Sequence, residues 1–287
     1  MTDSAYVVVG TDGSAHAGNA VVWAADEAQR RYLPLRIVSV FEEWTSTRPD
    51  AEGLRADQEQ QATAMLAEAK ESTLARYPAL QVETVLRIGD VVEELAEQAK
   101  TARVLVTGTR GRGGFAGMLL GSTSQALTIR SAAPLVVVPG PPAPDNARIV
   151  VGVDGSEESD RALRFAADSA LARGVDLVAV QAVPQPMAFG AGEVYGFMLD
   201  DILKEAEVAA EDQVAAVRTE HPDLELTTAV ELGHPAEVLR RLGDGAQLLV
   251  VGSRGRSRAR SMLLGSISHG VLHHAPCPVA VLTSQTE

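Results

Sequence analysis

Short aliphatic runs alternate along this chain with longer segments whose apolar positions recur at helical spacing. Tyr6–Val9 reads as a buried strand by its β-branched run. Ser14 is placed to cap a helix in which Val21, Val22, Ala25 and Ala28 fall on one face. Leu35–Phe41 is a second strand, and a long helix is expected from about Arg55 to Tyr77, ending before Pro78. Val82–Leu86 is a third strand. Asp90 and Glu93 then form a capping-box-like start to a helix reaching Lys100. Val104–Thr107 is a fourth strand, Ser122 opens a last helix, and Leu135–Val138 is a fifth strand ended by Pro139.

The order then repeats, with strands expected near Ile149–Val153, Leu177–Gln181, Leu226–Val230, Leu248–Val251 and Val279–Leu282. Pro235 sits where a first helical turn favours proline. The repetition extends to residues: Tyr6-Val-Val-Val-Gly-Thr-Asp-Gly-Ser14 returns as Ile149-Val-Val-Gly-Val-Asp-Gly-Ser156. This is duplication of a whole domain, with residues 1–140 and 148–287 as its copies. The proline-rich stretch Gly140–Asn146 falls between them as a semi-rigid linker, assigned to residues 141–147. Strands alternating with helices, and apolar on both faces, imply α/β domains with a parallel sheet covered on both sides. The expected order in each is 3-2-1-4-5, with a reversal between strands 1 and 4. Ligands of such sheets occupy the crevice at the carboxyl ends of the strands where the order reverses.

The most distinctive residues fall at that crevice. Gly108-Thr-Arg-Gly111, nine residues, then Gly121-Ser122 is matched by Gly252-Ser-Arg-Gly255, nine residues, then Gly265-Ser266. Over the 17 positions from Gly108 to Ser124, ten are identical in the second copy. Glycines without Cβ let a backbone approach phosphate oxygens. Ser122 and Ser266 open predicted helices, whose free N–H groups and dipole favour an anion. The hydroxyls of Ser122, Thr123 and Ser124 offer further donors. Asp12 and Asp154 follow strand 1 of each half, where a carboxylate accepts from a ribose hydroxyl or a base, helps to hold a metal, or only forms the Asp-Gly-Ser turn.

Composition narrows the ligand. Lys+Arg 25 against Asp+Glu 38 gives a net charge of -13, which disfavours nucleic acid or an anionic membrane as partner. Against that background Arg110 and Arg112 lie in the first loop, and Arg254, Arg256, Arg258 and Arg260 in the second. Local positive charge there fits a small anionic ligand. No apolar run approaches the roughly 18 residues that span a bilayer, and no signal-peptide pattern precedes Tyr6. The lone Cys277 excludes an intrachain disulfide. A cytoplasmic protein is the default expectation.

The Gly-x2-Gly-x9-Gly-Ser signature after strand 4, with an aspartate after strand 1, resembles the universal stress protein family in its ATP-binding, tandem-domain form. The resemblance covers essentially the whole chain, and spacing, hydroxyl and aspartate occur together twice. It implies Rossmann-like domains of the flavodoxin/HUP type and ATP as cofactor, with Mg2+ or Mn2+ as accompanying cations left open. By this resemblance adenine lies near Thr11, Asp12 and Val40, ribose near Asp12 and Gly108, and the phosphates near Gly111, Gly121, Ser122 and Ser124. The second site carries over as Val153, Asp154, Ala182, Gly252, Gly255, Gly265, Ser266 and Ser268. With their loop neighbours the sites comprise Gly10, Thr109, Arg110, Arg112 and Thr123 in the first half. Gly152, Ser253, Arg254, Arg256 and Ile267 complete the second. The changes Thr11 to Val153, Val40 to Ala182 and Thr123 to Ile267 remove two hydroxyls and shrink one adenine contact. They weaken the second site, while its extra arginines act in the opposite sense.

Other motifs carry less. There is no Gly-x4-Gly-Lys-Ser/Thr, and Gly111-x-Gly113-x-x-Ala116 follows strand 4 instead of strand 1, unlike a dinucleotide fingerprint. His269 and His273 have helical i, i+4 spacing but no evident third metal ligand, so they read as helix surface. Cys277, between two prolines, reads as packed before the last strand. Catalysis would need a positioned base beyond Asp12 or Asp154, and no histidine recurs in both halves. An ATP-binding regulator of the stress response is therefore preferred over a slow ATPase or phosphotransferase, and over a nucleotide-free adaptor. The turn-rich segments Trp44–Gly53 and Pro184–Tyr195 are expected to order on nucleotide binding. Strand 5 is an open edge in each half. The resemblance implies that these edges pair, here between the two halves, with a homodimer left open.

Overall fold

Ten strands form where the hydrophobic runs place them, in a computed structural model that describes residues 6–41, 51–111, 120–141, 144, 147–185, 193–255 and 264–283. The chain divides into two compact units between Pro142 and Ala143. The first contains β1 (Tyr6–Gly10), α1 (Ala15–Arg31), β2 (Leu35–Phe41), α2 (Ala51–Arg76) and β3 (Val82–Ile88). It continues with α3 (Val91–Ala99), β4 (Ala102–Gly108), α4 (Ser122–Arg130) and β5 (Leu135–Val138). The second contains β6 (Ile149–Gly152), α5 (Glu157–Arg173), β7 (Leu177–Val183), α6 (Glu193–Glu220) and β8 (Leu226–Leu232). Its remaining elements are α7 (Pro235–Leu242), β9 (Leu248–Gly252), α8 (Ser266–His274) and β10 (Val279–Leu282).

Within each unit every strand pair is parallel and the order is 3-2-1-4-5: β3-β2-β1-β4-β5 and β8-β7-β6-β9-β10. The crossovers through α1 and α2 step one way along the sheet and that through α3 reverses. Right-handed connections therefore put the helices on both faces. Two faces of cover explain the continuous apolar strands. Val7, Val8 and Val9 of β1, and Ile149, Val150 and Val151 of β6, are fully buried. Ser14 and Ser156 cap α1 and α5 by accepting from Ala17 N and Ser159 N, both at 3.2 Å. Asp90 caps α3 through Val92 N and Glu93 N.

Several boundaries differ from the sequence reading. β3 and β8 run two residues further than expected, because their parallel register continues to Phe41↔Ile88 and Val183↔Leu232. Each stops at a glycine with positive φ, Gly89 and Gly233. Helix α2 starts at Ala51, a turn before Arg55, and ends at Arg76. Ala51–Gly53 of the first turn-rich segment is thus helical, as is Glu193–Tyr195 of the second. The bodies of those segments, residues 44–50 and 186–192, lie outside the described residues.

Candidate functional site

At each order reversal a strand ends in an aspartate turn and its neighbour in a glycine loop. After β1, the Oδ1 of Asp12 accepts from Ser14 N at 3.0 Å, and Gly13 takes φ +79°. After β6, Asp154 Oδ1 accepts from both Ser156 N (3.1 Å) and Ser156 Oγ (2.5 Å). The aspartates therefore form the turn as well as facing the crevice.

The glycine loops leave and return through a narrow neck. Gly121 N donates to Thr109 O at 2.7 Å, and Gly265 N to Ser253 O at 2.8 Å. Thr109 and Ser253 are themselves buried, their amides donating to Val138 O and Leu282 O at the next strand. The loop crowns, residues 112–119 and 256–263, lie outside the described residues, and Arg112 and Arg256 with them. A Cβ at Gly111 would stand 2.6 Å from Asp12 Oδ2, and one at Gly255 would meet Asp154 Oδ2 in the same way. These two glycines let the aspartate of one strand rest against the loop of the other.

Several predicted ligand groups have structural tasks. A Cβ at Gly108 would fall 2.7 Å from the backbone of His16, so this glycine serves the close approach of α1. Gly252 does the same against Glu158 of α5. Gly10 and Gly152 make room for Leu95 and Leu239. Ser124 and Ser268 are buried, and their hydroxyls donate to Gly108 O (2.8 Å) and Gly252 O (2.6 Å). Each hydroxyl has one proton, which Ser124 and Ser268 give here to the strand-end carbonyls. Thr109 Oγ1 is 3.3 Å from His16 Nδ1. Ser122 and Ser266, by contrast, are exposed at the first positions of α4 and α8. Their N-caps are Gly121 and Gly265, with no side-chain capping bond, unlike α1, α3 and α5. The opening N–H groups of α4 and α8 thus have no side-chain acceptor at the cap.

In the second unit these pieces enclose a cleft of ≈ 580 Å³. It is lined by Gly152, Val153, Asp154, Ala182, Gly252, Arg254, Gly255, Gly265, Ser266, Ile267 and Ser268, which is every residue assigned to that site except Ser253 and Arg256. Sequence reasoning missed its other walls, among them Ser159, Gln181, Ile202, Glu205, Ala206, Ala209, Pro235 and Leu239. Ile202, Ala206 and Ala209 have the i, i+4, i+7 spacing of one helical face, so the face was readable but not its neighbour. In the first unit, Thr11, Gly13 and Ser14 border a different cavity of ≈ 440 Å³ between α1 and α2, reaching Met65, Arg76 and Tyr77. Val40 is half-buried at the end of β2, and Thr123 half-buried on α4. Arg110 is half-buried, its Nε enclosed without a hydrogen-bond partner among the described residues.

The remaining candidates stand apart. The rings of His269 and His273 lie 4.3 Å apart, and burial, then the neighbouring His269 and His274, hold His273 below the usual imidazole range. No group of three or more metal-ligating side chains occurs among the described residues. Cys277 is buried, and burial with the nearby Asp244 pushes its thiol up to about 12. Among the described residues no helix is long and apolar enough to cross a membrane.

Comparison with known proteins agrees with this architecture. A universal stress protein of Mycobacterium tuberculosis is 34% identical over 285 residues, covering 96% of each chain. One of Mycolicibacterium smegmatis is 33% identical over 288 residues with the same coverage. The crystal structure of a universal stress protein from Archaeoglobus fulgidus shares the fold, with a TM-score of 0.69 at 19% identity over 98% of this chain and 96% of that one. The model of the universal stress protein family matches twice, over residues 6–139 and 146–283. With one match to each five-stranded sheet, the chain belongs to the universal stress protein family and carries two of its domains in tandem.

Proposed function

We propose that this protein binds ATP and that occupancy of the site controls its conformation or assembly in a regulatory role. The observation that carries the reading is the second cleft, which joins an apolar chamber to an uncapped helix terminus. Its ≈ 580 Å³ lies within the range of small-molecule sites, about 300–1,000 Å³. Val180, Ala206, Leu239 and Val251 offer walls for a purine. Asp154 stands where a ribose hydroxyl would donate. Gly255, Gly265, Ser266 and Arg254 border the end at which α8 begins, where a triphosphate gains from free N–H groups, the helix dipole and a guanidinium. The first unit repeats the aspartate, the glycines and the uncapped helix, and is proposed as a second ATP site.

A binding role also suits the aspartates. Asp154 accepts two hydrogen bonds from Ser156, which orients it as a fixed acceptor. A site of micromolar affinity at millimolar ATP would stabilise the occupied state by about 4 kcal/mol, enough to order a loop.

The test is to denature the purified protein, identify any released nucleotide, and titrate ATP by calorimetry with and without Mg2+. Saturable binding of ATP is expected, with slower hydrogen exchange in residues 44–53 and 184–195. No release and no heat with ATP, ADP or AMP would overturn the reading. Steady turnover above a few per minute, abolished by Asp12→Ala together with Asp154→Ala, would replace the regulator with an enzyme.

A further inference from the structure

Two polar side chains of the second cleft have no task in this reading. Gln181 near the end of β7 and Glu205 on α6 both line it. Neither side chain makes a hydrogen bond or ion pair among the described residues. Topology fixes where they stand. β7 and β9 flank β6 on opposite sides, so the β7 side of the cleft lies about 10 Å, two strand spacings, from the glycine loop. Helix α6 packs on β7 and β8, which puts Glu205 on the β7 side. Glu205 also precedes Gln213 by two turns, and Gln213 bonds to Gly155 at the aspartate turn. At 1.5 Å per residue, Glu205 stands about 12 Å further along the helix, toward the mouth of the cleft.

The cleft is therefore polarised. Its β9 side offers donors and positive charge, from Arg254 and the start of α8. Its β7 side offers a carboxylate and an amide, beside the apolar Ile202, Ala206 and Ala209 of α6. A molecule matched to it is anionic at one end, and at the other presents an apolar face with a hydrogen-bond donor on its edge.

We propose that Glu205, assisted by Gln181, accepts from the 6-amino group of a purine, so that the second site discriminates adenine from 6-oxo purines. This rests on the ATP reading above. Carboxylate oxygens accept, so a 6-amino group met from the N7 edge of the base pairs with them, whereas a 6-oxo group met from that edge sets two acceptors against each other. A site that accepts from one donor loses that bond with the analogue that lacks it, and because Glu205 is exposed, water replaces part of it. The amide of Gln181 can both donate and accept, as the ring nitrogen and amine on one edge of adenine require. The first unit lacks this pair. Counted back from Pro78 and Pro222, Gln61 holds the place of Glu205; counted from the first residues of β2 and β7, Ser39, which is buried, holds that of Gln181. Selectivity belongs to the second site alone.

The experiment compares ATP with ITP by calorimetry in a chain whose first loop carries Gly121→Val, with and without Glu205→Ala. ATP should bind about ten-fold tighter than ITP in the parent. In Glu205→Ala the ratio should fall to within about two-fold, chiefly by weakening ATP, and Glu205→Gln should keep part of the preference. If Gly121→Val does not fold, the methyl resonances of Ala206 and Ala209 in the otherwise wild-type chain report the second cleft alone. Equal ATP-to-ITP ratios in parent and Glu205→Ala would overturn the proposal and leave the ATP reading standing. Failure of both nucleotides to bind would overturn the two together.

Discussion

The two halves hold the same Asp-Gly-Ser turn by different means. In the first, Thr11 Oγ1 accepts from Gly13 N at 3.2 Å, and the thioether of Met65 covers the glycine, where a Cβ would lie 2.6 Å from its sulfur. In the second, Val153 has no hydroxyl, and Gln213 Oε1 accepts from Gly155 N at 2.9 Å instead. The Nε2 of Gln213 donates onward to Ser159 Oγ (2.7 Å) and Asp160 Oδ1 (2.6 Å). A hydrogen-bond acceptor lost from the turn is thus replaced from a helix.

The replacement also changes which part of that helix faces the turn. Counted back from Pro78 and Pro222, Met65 corresponds to Ala209 and Gln213 to Ala69. The position that carries methionine over the turn in the first unit carries alanine in the second, where it lines the open cleft. The change from Thr11 to Val153 reads from sequence as a lost ligand contact. In the structure its hydroxyl belongs to the turn, and the second unit compensates for it.

Predictions that separate the halves follow in order of size. Gly121→Val and Gly265→Val, made singly, should each abolish one equivalent of ATP binding, a loss of at least about 100-fold at the altered site. A branched side chain there crowds the neck, since even a Cβ would lie 3.2 Å from Thr109 O or 3.1 Å from Ser253 O. Unchanged stoichiometry in Gly265→Val would remove the second cleft as the site. Gly111→Ala and Gly255→Ala come next. Each new Cβ displaces an aspartate carboxylate, and about ten-fold weaker ATP binding is expected by calorimetry, with the larger effect at Gly255, where the approach is closer.

Gln213→Leu should lower the stability of the second unit by about 1–2 kcal/mol in urea unfolding, because it removes the replacement acceptor and two further bonds. Met65→Leu, which conserves volume over Gly13, should cost less than about 1.5 kcal/mol in the first. Equal losses would show that the two supports are equivalent. The smallest effect concerns His273, whose place is taken by Ile129 in the first unit. Its folded pKa is depressed, so the unfolded chain takes up that proton at higher pH than the folded one. The histidine's contribution is complete above about pH 6.5 and lost as pH falls through the folded value. His273→Asn should therefore flatten the fall of Tm below about pH 6.5.

The sequence by itself determined the strands, their order, the aspartate turns and the paired glycine loops. These follow from local facts: β-branched runs buried on two faces, serines able to cap the next helix, and a duplication that presents every feature twice. Tertiary structure decided which of those residues face a ligand. Ser122 and Ser124 are two apart on one helix, yet the first is exposed and the second donates to Gly108 O, because only the second lies over the end of β4. Gly108 and Gly111 look alike in the motif, but one admits the backbone of α1 and the other the carboxylate of Asp12. Glu205 could not be found by spacing at all. Periodicity gives a helix a face, but only the packing of α6 on β7 and β8 decides what that face looks into.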